Sequence, residues 1–180
     1  MKTVFYALML VVYCTAVRGQ DYCKRIAKEV SPDKKSFTYS SPYDPQEATS
    51  VHVTRNINLD PDYPSDNFYI IFRITGNLDG IYTKNEAGEQ VEKEEKKIIV
   101  QFDDNSKLVD DTIGVSHDFT DDKMQAIRYV YYPLTDNNAK DFSKKKIVKF
   151  SLAGYEQPMQ SDSAVAVQHY VQCIKDAAKQ

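Results

Sequence analysis

Two stretches of this chain carry the oxygen-rich side chains that a hard cation needs. F-D-D-N-S-K-L-V-D-D, residues 102–111, sets Asp103 and Asn105 in alternation, and D-P-D-Y-P-S-D-N, residues 60–67, supplies Asp60, Asp62 and Asp66. Calcium takes roughly six to eight oxygen ligands from a loop that curls around the ion with acids at alternating positions. Neither stretch has the glycine and closing glutamate of an EF-hand, so each reads first as a hydrated turn, with calcium the one cofactor worth testing. The context of the first supports the turn. I-I-V-Q-F runs into D-D-N-S and K-L-V runs out, which is the pattern of a hairpin, while Asp110 and Asp111 open the next loop.

The opposite charge gathers in K-D-F-S-K-K-K, where Lys140, Lys144, Lys145 and Lys146 could hold a sulfated polysaccharide or an anionic surface. With an aspartate among the lysines, the plainer reading is a solvated turn before a strand. Ser116, His117 and Asp118 supply the residue types of a hydrolase triad, but neighbours in a chain point in different directions and triads are assembled from distant segments. There is no G-x-S-x-G elbow and no metal-ligand spacing around His52, His117 or His169, which read as ordinary surface histidines. No catalytic residue is assigned. Tyr129, Tyr131 and Tyr132 could line a pocket, although alternating aromatics more commonly pack across a sheet.

The elements that must position these residues begin after residue 19. Lys2, the apolar run Val4–Tyr13 and the small exit residue Gly19 read as a secretory signal peptide over 1–19, leaving one domain over 20–180. Cys14 leaves with the leader, and Cys23 and Cys173, near the two ends of what remains, are expected to pair in an oxidising compartment.

Lys24–Val30 suggests a short helical turn, and F-T-Y a short strand. Apolar residues then alternate at Val51, Val53, Ile57 and Leu59, with Arg55 interrupting their face. F-Y-I-I-F-R-I-T, residues 68–75, is apolar at nearly every position and predicts a central strand covered on both sides. The mixed charges of Glu92–Lys97 read as solvated, and a polar loop is expected after Val109. Residues 124–133 and 147–152 read as strands, with Thr135 able to cap a short helical turn between them.

The last element differs. Ala164, Val167, Tyr170, Val171, Ile174, Ala177 and Ala178 recur at helical spacing behind a cap at Ser161 or Asp162. Cys173 lies one step beside that stripe, where it can meet Cys23. The expected fold is mainly β, a β-sandwich or partly open barrel of about seven or eight strands, with the C-terminal α-helix packed on the sheet.

A formal net charge of −3 disfavours nucleic acid, and no stretch after the leader is long and apolar enough for a membrane span. The size, leader and strand-rich pattern are similar to the lipocalins, a resemblance that implies a small-ligand carrier. The chain departs from that family in having no tryptophan for a G-x-W entry motif and in ending on a helix. Without a catalytic signature, the expectation is a secreted, non-enzymatic binding or interaction protein. Its partner would be an extracellular protein, glycan or small ligand, with a matrix component that binds calcium weakly as a further alternative.

Overall fold

The computed structural model describes residues 21–44, 47, 49–78, 81–84, 87, 89–92, 95–120 and 125–177. The leader expected over 1–19 lies outside them, as does Ala178. The described strands are β1 (Ala27–Val30), β2 (Ser36–Ser40), β3 (Thr49–Asn58), β4 (Ser65–Gly76), β5 (Tyr82–Lys84), β6 (Gln90–Glu92), β7 (Glu95–Phe102), β8 (Lys107–Phe119), β9 (Ala126–Pro133), β10 (Ile147–Leu152) and β11 (Tyr155–Pro158). Among the described residues, helices α1 (Asn138–Lys144) and α2 (Ser161–Ala177) accompany these strands.

Nine of the strands form one antiparallel sheet in the order β1-β2-β3-β4-β9-β8-β7-β10-β11, curled into a half-barrel, and β5 pairs with β6 alone. The partly open barrel is therefore the architecture, with more strands than expected. Its order is not that of an up-and-down barrel: β4 pairs with β9, and β9, β8 and β7 run backwards across the sheet. The likeness to lipocalins in size and strand content does not extend to this topology.

Period-two alternation sorts the core. On β4, Ile70, Phe72 and Ile74 point inward and are buried, as are Val130 and Tyr132 of β9 and Val100 and Phe102 of β7. Phe72 meets Phe150 of β10 with ring centroids 5.0 Å apart, and Phe142 of α1 sits edge-on to Phe102 at 5.4 Å. Each such side chain contributes about 1.5–3 kcal/mol through burial. Helix α2 covers this face with Val167, Tyr170, Val171 and Ile174, the stripe expected from helical spacing. The Gln160 carbonyl accepts the Ala164 N–H at 2.9 Å, so the cap position is Gln160, just before the expected Ser161 or Asp162, and Asp162 lies in the first turn of the helix. There its charge favours the helix dipole. The capping expectation at Thr135 is met by a reciprocal pair: the Asn138 N–H donates to Thr135 Oγ1 at 3.3 Å, and the Thr135 N–H to Asn138 Oδ1 at 2.7 Å.

Three expectations are corrected. Ala27–Val30 is a strand paired with β2; the helical turn behind it covers residues 21–24. Asp110–Asp118 is not a loop, because β8 continues unbroken to Phe119, and its low apolar content reflects one solvent-facing side. Glu95, expected to be solvated, is buried. A bulge explains the last two. Lys96 pairs with Gly114 and Ile98 with Asp110, leaving Lys97, at φ 113°, opposite three residues of β8. Such an insertion resets which residues face inward. Simple alternation from Ile98 would put Glu95 on the outer face; the bulge turns it inside. Asp110 supports the irregularity by accepting the Thr112 N–H at 2.9 Å and the Ile113 N–H at 3.2 Å.

Candidate functional site

The residues singled out for chemistry fall into four places. In the first, the acidic turn and the basic run meet each other. β7 and β8 are joined by the expected hairpin, with Asn105 at φ 65° and its N–H donating to the Phe102 carbonyl at 3.0 Å. The Asp103 N–H donates to the Lys146 carbonyl at 2.9 Å, and the Lys146 N–H returns to Asp103 Oδ1 at 3.1 Å. Lys145 Nζ lies 3.1 Å from Asp104 Oδ2 and 3.0 Å from Asp141 Oδ1. The Ser106 hydroxyl and N–H, and then Lys145, hold the Asp104 carboxyl down at a pKa of about 2. Carboxylate and ammonium thus serve one another as a clamp between the hairpin and the end of α1. Lys140, Lys144 and Lys146 have exposed side chains around it.

The second acidic stretch is distributed in the same way. Asp60 Oδ2 lies 2.9 Å from Lys35 Nζ, while its Oδ1 accepts the Asp62 N–H at 3.0 Å. Asp66 takes a two-pronged contact from Arg55, at 2.7 Å from Nε and 2.6 Å from Nη2, which holds its carboxyl below the ordinary range. Among the described residues, no three His, Cys, Asp or Glu side chains gather around a point that could hold a metal ion.

The third place was not anticipated. Ser116 and Asp118 face outward while His117 turns into the half-barrel, so the three adjacent triad types are split by the sheet. His117 Nε2 lies 2.9 Å from Glu95 Oε2, and Arg128 Nε lies 3.6 Å from the same oxygen. Arg128 is fully buried; its Nη1 donates to the Asn77 carbonyl at 3.2 Å, and its guanidinium carbon sits 3.7 Å from the centroid of Tyr155. The other histidines are half-buried, not ordinary surface residues. His169 stacks on Tyr22 at 4.8 Å, and His52 Nδ1 is 3.0 Å from the Ser41 hydroxyl. Burial pushes the His52 pKa down.

The fourth is a groove on the outer face of the same strands, about 700 Å³ in volume, within the range of small-molecule sites. Its floor comes from the second face of β4, where the apolar run predicted full cover but the structure leaves Tyr69, Ile71 and Arg73 half-buried. β9 adds Ile127, Tyr129 and Tyr131, and the loop after β2 adds Tyr43 as a wall. Tyr131 is 53% exposed and Tyr43 49%. Two charged side chains line it, Arg73 and Asp118. Arg73 donates to the Glu47 carbonyl and Asp118 Oδ1 accepts the Phe119 N–H, but among the described residues neither has an ion-pair partner. Ser50, directly across the ladder from Arg73, is 9% exposed and lines the groove. Its hydroxyl, like that of Thr75 two residues beyond Arg73, is buried without a hydrogen-bond partner among the described residues. Such orphaned groups are uncommon in native proteins and call for a cause.

Cys23 and Cys173 are joined as expected, with Cα atoms 5.3 Å apart, tying the start of the sheet to the inner side of α2. Among the described residues no helix is long and apolar enough to cross a membrane. No protein-family model, no curated protein and no solved structure matches this chain.

Proposed function

We propose that the protein is a secreted, non-enzymatic binding protein that holds a small ligand in the outer-face groove. The observation that carries this reading is the joint placement of Arg73 and Asp118, both without an ion-pair partner among the described residues, beside exposed Tyr43 and Tyr131. A few charged side chains on a concave surface lined by aromatics are what orient a ligand and make such a site specific. The interior of the half-barrel argues against an enclosed-cavity carrier, because Phe72, Phe102, Phe142 and Phe150 fill it together with α2. Secretion rests on the leader pattern at 1–19 and on a disulfide of the kind that persists in oxidising compartments.

The test is native mass spectrometry of the protein purified from its source, beside an Arg73→Gln, Asp118→Asn double variant expressed in the same source. The expected result is a retained small mass on the natural protein that the variant lacks. A bare chain in both samples, or the same adduct on both, overturns the assignment of the groove. Intact mass also reads the leader: a chain beginning at Gln20 is expected.

A further inference from the structure

We infer that the groove takes a small aromatic zwitterion, its carboxylate on Arg73, its ammonium on Asp118 and its ring against Tyr129 and Tyr131. This deepens the functional reading above and rests on it. The charges carry the inference. A ligand bearing only an anion would satisfy Arg73 and face the Asp118 carboxylate unneutralised; one bearing only a cation would meet the reverse problem at Arg73. His52 adds no fixed charge at neutral pH, since burial lowers its pKa. One positive and one negative group are therefore offered to the same occupant.

The sheet register sets their spacing. Arg73 stands opposite Tyr129 and Asp118 opposite Ile127, with β9 as the single strand between them. Two strand spacings of about 4.8 Å and two residue steps of about 3.4 Å put the two Cα atoms about 12 Å apart. That span accommodates a small molecule with its charged groups on or beside one ring. Between them lie Ile127 and Tyr129, and Tyr131 stands edge-on to Tyr129 at 5.8 Å. An aromatic guest extends that edge-to-face packing. The orphaned Ser50 hydroxyl lies across the ladder from Arg73 in the groove lining, where it can bind the water or carboxylate oxygen that the guanidinium recruits.

The chain contains no tryptophan, so the emission of an indole probe is read without protein background, and energy transfer from Tyr129 and Tyr131 reports its approach. The probes are tryptophan, indole-3-propionate and tryptamine, which share a ring and differ in charge. Tryptophan is expected to bind at least about tenfold more tightly than either, because each lost contact is a hydrogen bond to a charged group. Arg73→Gln should weaken tryptophan and indole-3-propionate and spare tryptamine, and Asp118→Asn should weaken tryptophan and tryptamine and spare indole-3-propionate. Unchanged thermal midpoints confirm that the variants fold, and Arg73→Lys, which keeps the charge, should restore part of the binding.

Equal affinity for tryptophan and indole-3-propionate, or an Asp118→Asn variant that binds as the natural protein does, overturns the zwitterion. If no probe binds while source-purified protein still carries a mass lost in the double variant, the ligand class falls and the groove stands. If neither appears, both fall.

Discussion

The two faces of the central strands are built from alternate residues of the same segments, yet they do opposite things. Inward, Ile70, Phe72, Ile74 and Val130 are packed under α2 and their contacts are complete. Outward, Ile71, Tyr129 and Tyr131 surround the charged Arg73 and stay partly or largely exposed around an open groove. The polar groups differ in the same sense. Glu95, His117 and Arg128 on the inner face form one buried cluster of opposite charges, whereas Arg73 and Asp118 on the outer face have no ionic partner among the described residues. A closed polar cluster serves the fold, and an open one is what a ligand can use.

The contrast can be broken by substitution. Phe72→Ala should cost about 3–5 kcal/mol, read as a lowered urea midpoint, because the surrounding aromatics cannot collapse into the space it leaves. Arg128→Met should cost about 3–5 kcal/mol by removing one partner and leaving Glu95 buried beside His117. The triple variant Glu95→Leu, His117→Leu, Arg128→Met should be more stable than that single one, since it leaves no buried charge uncompensated. A triple variant less stable than Arg128→Met would show that the cluster does more than satisfy itself. Tyr131→Ala, by contrast, should cost about 0.5 kcal/mol or less by urea unfolding, as expected for a surface position, while reducing the tyrosine-to-indole transfer. If it destabilises as Phe72→Ala does, the outer face is core and not a site.

The smallest effect concerns the acid clamp. Asp104 has its folded pKa lowered to about 2 from an ordinary 3.8. The ionised form is therefore the one that stabilises, fully so above pH 3.8, and its contribution is lost as pH falls through about 2. Asp104→Asn should flatten the thermal midpoint against pH in that window and leave the neutral-pH groove affinity unchanged. Calcium or a chelator is expected to leave this profile as it is, because the carboxylate is already held by Ser106 and Lys145.

Much of the frame was legible from residue order. The hairpin at 103–106 follows from polar turn residues between two apolar runs, and α2 from apolar residues at helical spacing. The Cys23–Cys173 bridge follows from having two cysteines beyond the leader pattern. These depend on local period, or on there being one choice. The groove left a partial signal. The two-faced apolarity of residues 68–75 marks an outer surface unlike a wet one, but whether another layer covers it or a ligand fills it is not written in the strand.

What only the tertiary structure decided is phase and partnership. Alternation fixes which residues of a strand share a face until a bulge intervenes, and the shift at Lys97 reverses the side of Glu95 on grounds that lie in β8. The partners of charges are equally non-local. Asp103 and Asp104 could have faced an ion, and Lys145 and Lys146 an anion, until the sheet and α1 brought the two runs within hydrogen-bonding distance. Residue types set what each group can do; the fold chooses the neighbour it does it with, because strand pairing joins segments that are far apart in the chain.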